Sequence, residues 1–234
     1  MPSAELQTEV CLFDLDGTLI ASTGAVEMAW QDLFKKYNLD GNDFFKHSHG
    51  VRTVEVFKKF LPQFAANAQE MATEFEFGIS NDWGHLAVPI KGAGALIESL
   101  PKERWCIVTS GTPGMAHSWF TKVLNKDGFY KPDIFITASD VTEGKPHPSG
   151  YKMGADLLAQ KAGKDTFAQR VVFEDAPAGV QAGVAAGARV IGITSSFPKE
   201  VLYGAGATYV VEDLTHVKLV KNEGGIITFA VDYI

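Results

Sequence analysis

The sequence predicts an α/β fold, a doubly wound parallel sheet with an inserted helical cap. Three observations predict it. Short β-prone apolar runs alternate with stretches of helical period from about residue 90 onward, and such alternation places helical crossovers on both faces of parallel strands. Residues 22–86, between the first strand and the first crossover, show helical patterning alone. Gly-marked polar turns follow the strands, and open α/β sheets bind ligands outside the carboxyl ends of their strands. The expected division is a core of residues 1–21 and 87–234, with residues 22–86 set over the strand ends as a lid.

Each element has its own signal. Val10-Cys11-Leu12-Phe13 is a brief apolar run that ends at Asp14 and Asp16 and is punctuated by Gly17, which reads as a buried strand. Ser22 and Thr23 can cap a helix over 24–37, where Val26, Trp30, Leu33, Phe34 and Tyr37 fall at helical spacing. The stretch 38–42 breaks it, a second helix covers 53–61 and stops at Pro62, and a third covers 65–77. Trp30, Phe77 and Trp83 read as cap core. Beyond Pro89 and the Gly92-Ala93-Gly94 turn come helix 95–100, strand 105–108, helix 115–124 and strand 134–136. Helix 149–160 leads to strand 171–173, and a helix rich in small residues (Ala178, Gly179, Ala182, Gly183, Ala185, Ala186) ends at Gly187, a natural helix stop. Strands 190–193 and 209–211 complete the alternation, and the tail from 224 to 234 has an apolar alternation suited to an edge strand.

Composition narrows the classes. A net charge of -7 over 234 residues gives a surface that attracts neither nucleic acid nor anionic membrane. No apolar run is long enough to span a bilayer. Residues 1–9 carry two acids and no basic segment, so they do not read as a signal peptide. Cys11 and Cys106 fall in buried strands, as expected of reduced thiols in a cytoplasmic protein.

Four strand ends carry polar groups: Asp14 with Asp16, Thr109 with Ser110, the loop holding Lys145, and Glu174 with Asp175. In a parallel sheet these ends share one edge. Asp14 and Asp16, two apart on extended chain, can face one site. Two like charges about 4 Å apart repel by roughly 4 kcal/mol at an effective dielectric of 20, so four carboxylates against one lysine must be protonated or filled by a cation. An all-oxygen donor set favours a hard cation, and Mg²⁺ suits a site of one or two carboxylates, waters and a substrate phosphate. The Thr109-Ser110-Gly111 turn, leading into a helix, and Lys145 are the anion-binding parts.

Asp-x-Asp-Gly-Thr after one strand, Thr-Ser-Gly after the next, Gly144-Lys145-Pro146 and Glu174-Asp175 together resemble the four motifs of the haloacid dehalogenase superfamily. The insertion resembles that family's helical C1 cap. His47-Ser48-His49-Gly50 with Arg52-Thr53, and Phe173-Glu174-Asp175-Ala176-Pro177, resemble the branch that holds the yeast-type 2-deoxyglucose-6-phosphate and glycerol-3-phosphate phosphatases. The resemblance implies Asp14 as nucleophile, Asp16 as general acid and base, and Mg²⁺ held by Asp14, Asp16, Glu174 and Asp175. It also implies Thr109, Ser110, Gly111 and Lys145 on the phosphoryl group.

The expected function is hydrolysis of a small sugar or polyol phosphate, with His47, His49 and Arg52 of the lid as candidate substrate-binding residues. A capped single-chain site needs no partner, so a monomer is expected. Two enzymes of the same core stay open as alternatives, a β-phosphoglucomutase-like mutase and a phosphoglycolate-type phosphatase. The mutase carries a His in the first cap helix, near where Val26 lies here. A third reading, a non-catalytic binding protein on the same fold, is opposed by the presence of Asp14, Asp16, Lys145 and Asp175 together.

Overall fold

The chain opens with β1 (Ser3–Thr8) and β2 (Val10–Phe13), and every residue of β2 is buried. The computed structural model describes residues 1–38, 44–125 and 128–234, with the backbone alone at positions 46 and 47. Among the described residues, β2 lies inside a six-stranded sheet of order β6 (Phe135–Ile136), β5 (Trp105–Val108), β2, β7 (Arg170–Glu174), β8 (Arg189–Ile193) and β9 (Tyr209–Val211). Every neighbouring pair in it is parallel. The order steps outward from β2 in both directions, so the chain reverses its winding beside β2, where such sheets form ligand crevices.

The two-residue period of the strands divides the core. Val10, Leu12, Cys106 and Val172 pack under α7 (Ser149–Lys161) and α8 (Pro177–Ala185). Cys11, Phe13, Ile107 and Phe173 face the other way, under α5 (Ala93–Ser99) and α6 (Pro113–Trp119). Phe13 stacks on Phe173 at 4.3 Å between ring centroids and pairs in register with both Ile107 and Phe173. Both cysteines are buried free thiols.

The inserted segment has its own core. α1 (Thr23–Tyr37), α2 (Phe45–Ser48), α3 (Thr53–Phe60) and α4 (Ala68–Gly78) enclose Trp30, Phe34, Phe44 and Phe57. The chain leaves and re-enters the larger body through a short antiparallel ribbon, β3 (Ile20–Ala21) with β4 (Val88–Pro89). Two aromatic residues expected in the cap core are elsewhere. Phe77 is 65% exposed, and Trp83 packs on the main core cluster.

Other boundaries also move. Pro62–Asn67 is a 3-10 segment, which delays the third cap helix to Ala68. The helix expected over 115–124 starts at Pro113, and its second half, Phe120–Leu124, is π-helical. The strand of the tail is not part of the parallel sheet, although Ile234 N–H donates to Val210 O of β9 at 2.9 Å. β11 (Ile226–Asp232) is the middle strand of a separate antiparallel sheet, between β1 and β10 (Val217–Glu223). Its alternate residues Ile227, Phe229 and Val231 are fully or almost fully buried. Among the described residues no helix is long and apolar enough to cross a membrane.

Candidate active site

Asp14 is the first residue beyond β2, and its backbone N–H still donates to Phe173 O at 3.0 Å. The strand register therefore fixes where its carboxylate starts. Gly17 then turns with φ +78°, and a Cβ there would stand 1.9 Å from Asp175 Oδ2, so a glycine is needed both for the turn and for the close approach. Asp16 Oδ1 accepts from Ser22 Oγ at 2.6 Å, which ties the second carboxylate to the start of the cap. Thr109 continues β5, with its N–H on Ile136 O at 2.9 Å. Its hydroxyl accepts from Gly111 N–H at 3.0 Å, which shapes the turn.

Lys145 reaches back from the β6–α7 loop and joins two strand ends. Its Nζ donates to Asp14 Oδ1 and, at 2.7 Å, to Glu174 Oε1. Glu174 is wholly buried, and both its oxygens are engaged. Tyr151 OH also donates to Oε1 at 3.0 Å, while the N–H groups of Asp175 and Ala176 donate to Oε2 at 2.8 and 2.9 Å. Burial works against the Lys145 ammonium, but the carboxylates of Asp14 and Glu174 prevail and hold its pKa above the ordinary value. Burial pushes the carboxyl groups of Asp14, Asp16 and Asp175 up, because a desolvated carboxylate is disfavoured.

Asp14, Glu174 and Asp175 each offer an oxygen within 4.8 Å of the others. Three buried acids, with Asp16 beside them, exceed the charge of one lysine. That excess, an all-oxygen donor set and anionic character fit a hard divalent cation. Since four donors already occupy Glu174, Asp14 and Asp175 are the more available ligands.

A cavity of about 80 Å³ lies over these groups. Asp14, Asp16, Thr109, Ser110, Gly111 and Asp175 line it from the core, and His49, Gly50, Thr53 and Glu76 from the cap. Ser110 Oγ donates to Gly50 O at 2.9 Å across the seam. His49 faces the cavity and lies 3.3 Å from Glu27 Oε1, and burial lowers its pKa. Arg52 is placed differently. It does not line this cavity but lines a neighbouring one of about 450 Å³ together with Thr53, Glu76 and Ser110, and its guanidinium donates to Glu55 and to the carbonyls of Val141 and Thr142, the latter two at 3.2 and 3.0 Å. The side chain of His47 lies outside the described residues.

Four residues absent from the sequence-based candidates are here. Ser22 holds Asp16, Tyr151 holds Glu174, Ser196 lines the cavity beside Asp175, and Glu76 hangs from the cap. Ser22 had a signal, its place just after the acidic loop. Tyr151 and Ser196 had none, because their partners are distant in sequence, whereas Glu76 falls four and eight residues after Ala72 and Ala68 on the buried stripe of its helix.

A family model described as haloacid dehalogenase-like hydrolase matches residues 8–187. Over 96% of both chains, the sequence is 45% identical to 2-deoxyglucose-6-phosphate phosphatase 1 of Saccharomyces cerevisiae. It is 37% identical to glycerol-1-phosphate phosphohydrolase 2 of the same yeast, over 92% of this chain and 86% of that one. Among solved structures, a hydrolase from Pseudomonas syringae superposes with a TM-score of 0.71 at 26% identity, over 88% of this chain and 94% of that one.

Proposed function

The chain belongs to the haloacid dehalogenase-like hydrolases, and from that premise we propose that it is a Mg²⁺-dependent phosphatase of small sugar or polyol phosphate monoesters. The observation that carries the reading is the buried Asp14–Lys145–Glu174 bridge beside Asp175, at the foot of a capped cavity. The two yeast relatives, by their names, act on a sugar phosphate and a glycerol phosphate, which supports the substrate class.

Each residue has a chemical part. An Asp14 carboxylate oxygen attacks phosphorus in line, the P–O bond to the alcohol breaks, and an aspartyl-phosphate forms. Asp16 gives its proton to the departing alkoxide and later takes one from the water that hydrolyses the intermediate. Its raised pKa suits a group that must carry that proton. Thr109, Ser110 and the Gly111 turn hold the phosphoryl oxygens. Lys145 holds the Asp14 carboxylate in place and offsets its charge. Mg²⁺, held by Asp14 and Asp175 with the Asp16 carbonyl, would supply positive charge to the phosphoryl oxygens. The cap excludes bulk water. The mutase reading lacks its histidine, since Val26 lines the cavity from the first cap helix.

The test is phosphate release from glycerol 3-phosphate, 2-deoxyglucose 6-phosphate, sorbitol 6-phosphate, phosphoglycolate and β-glucose 1-phosphate, with Mg²⁺ and with chelator. Metal-dependent release is expected, reduced at least about 10³-fold in Asp14→Asn. Isomerisation of β-glucose 1-phosphate without free phosphate would establish the mutase instead.

A further inference from the structure

Glu76 is a buried acid in this site to which the hydrolytic steps give no part. It is 1% exposed, although Glu70 and Glu74 on the same helix are solvated. Its Oε2 accepts from Thr112 N–H at 2.7 Å, across the seam between cap and core. Burial raises its pKa, hydrogen bonds from Thr112 and Thr53 lower it, and the Asp16 charge is close enough to raise it further. Glu76 and Asp16 line the same cavity, so Glu76 borders the space into which the alcohol leaves.

Its position between two spaces is equally telling. Beside the cavity over the carboxylates lies a second one of about 450 Å³. The two share Thr53, Glu76, Ser110 and Met115 in their linings, and Arg52, whose charge is already paired with Glu55, also lines the second. A substrate whose phosphoryl group sits at Asp14 and whose organic part enters the larger cavity would pass Glu76, which borders both. A carboxylate has about four acceptor positions, of which the Thr112 backbone, the Thr112 side chain and the Thr53 side chain take three. The remaining position can take a substrate hydroxyl, and the carboxylate charge is unfavourable to a second anion.

Resting on the phosphatase reading, we infer that Glu76 is a specificity-determining residue. Its carboxylate accepts hydrogen bonds from the hydroxyls of an uncharged leaving group and disfavours phosphate esters that carry a carboxylate or a second phosphate. This separates the polyol and sugar monophosphates from the phosphoglycolate class, which the core motifs alone leave together.

The experiment compares kcat/KM for glycerol 3-phosphate, its carboxylate counterpart 3-phosphoglycerate, and p-nitrophenyl phosphate, in wild type and in Glu76→Gln. Wild type is expected to prefer glycerol 3-phosphate over 3-phosphoglycerate by at least about tenfold. Glu76→Gln should shrink that ratio by at least about tenfold, and should cost the aryl ester, which offers no hydroxyl, several-fold less than glycerol 3-phosphate. Equal losses on all three esters would overturn the inference and leave Glu76 as a structural link to Thr112. If Glu76→Gln does not fold, the wild-type ratio decides, and a ratio near one overturns the inference. Failure of the phosphatase reading looks different, since wild type would then release no phosphate from any of the three esters, and the inference would fall with it.

Discussion

Lys145 meets two carboxylates at once, and a third, Asp175, stands close enough for all three acids to share one ion. Buried like charges are destabilising until a cation enters. Mg²⁺ should therefore raise the melting temperature, because a ligand at about 100 times its Kd stabilises by about 2.7 kcal/mol. For a chain of this length that is a rise of roughly 5–10 °C. Calorimetry with Mg²⁺ and with chelator measures it. Asp175→Asn should lose most of the increment while melting no lower than wild type in chelator, since it removes repulsion together with a ligand. An increment of the same size in the variant would exclude Asp175 from the cation site. At this scale, Asp14, Asp16, Lys145 and Asp175 were legible because each ends a strand or sits in a Gly-Pro loop. Glu76 was not singled out, because an acid in line with Ala68 and Ala72 on the buried stripe of its helix has no partner nearby in sequence to explain it. The Thr112 N–H that draws Glu76 inward is 36 residues away.

The small residues of α8 were visible in the sequence, but their reason was not. A Cβ at Gly179 would stand 1.6 Å from Glu174 Oε1, and one at Gly183 would stand 2.9 Å from Val190 Cγ2. The helix has to lie against the strand ends so that Glu174 can be sealed from water and turned toward Lys145. Gly179→Ala should displace Glu174, cost about 1–3 kcal/mol of stability through overpacking, and lower kcat at least about tenfold. Gly204 in α9 (Lys199–Ala205) is the contrast, with nothing near its Cβ position. Gly204→Ala should gain up to about 1 kcal/mol from helix propensity and keep full activity. Denaturant unfolding and turnover measured on both variants separate close packing from a general intolerance of alanine. The elements of the parallel sheet were legible because each carries its own periodicity. The pairing of β11 with β1 was not, because it joins Leu6 to Phe229, and separation of that length leaves no local pattern.

At the scale of the whole molecule, the cap has its own aromatic core and joins the rest through the β3–β4 ribbon. The existence of an insertion was legible from the switch in periodicity, whereas the contacts that close it were not. Ser110 Oγ reaches Gly50 O, Thr112 N–H reaches Glu76, and Arg52 reaches the Val141 and Thr142 carbonyls 89 and 90 residues away. Arg52 is the most exacting of these. A Cβ at Gly144 would stand 2.7 Å from Arg52 Nε, so the side chain lies directly on the loop that presents Lys145. Its hydrogen bonds to these two carbonyls exist only when cap and core are together, and charged hydrogen bonds of this kind contribute about 1.5–3 kcal/mol each. Arg52→Ala should therefore shift the cap toward an open state and lower kcat/KM at least about tenfold for every ester alike. Limited proteolysis at the ribbon should quicken in parallel. Glu76→Gln should do the reverse, altering substrate ranking and leaving the proteolysis rate within about twofold of wild type, because glutamine can still accept the Thr112 N–H. If Arg52→Ala instead reorders the substrates without changing proteolysis, its guanidinium leaves the carbonyls to meet substrate, and closure is held by the Ser110 and Thr112 contacts.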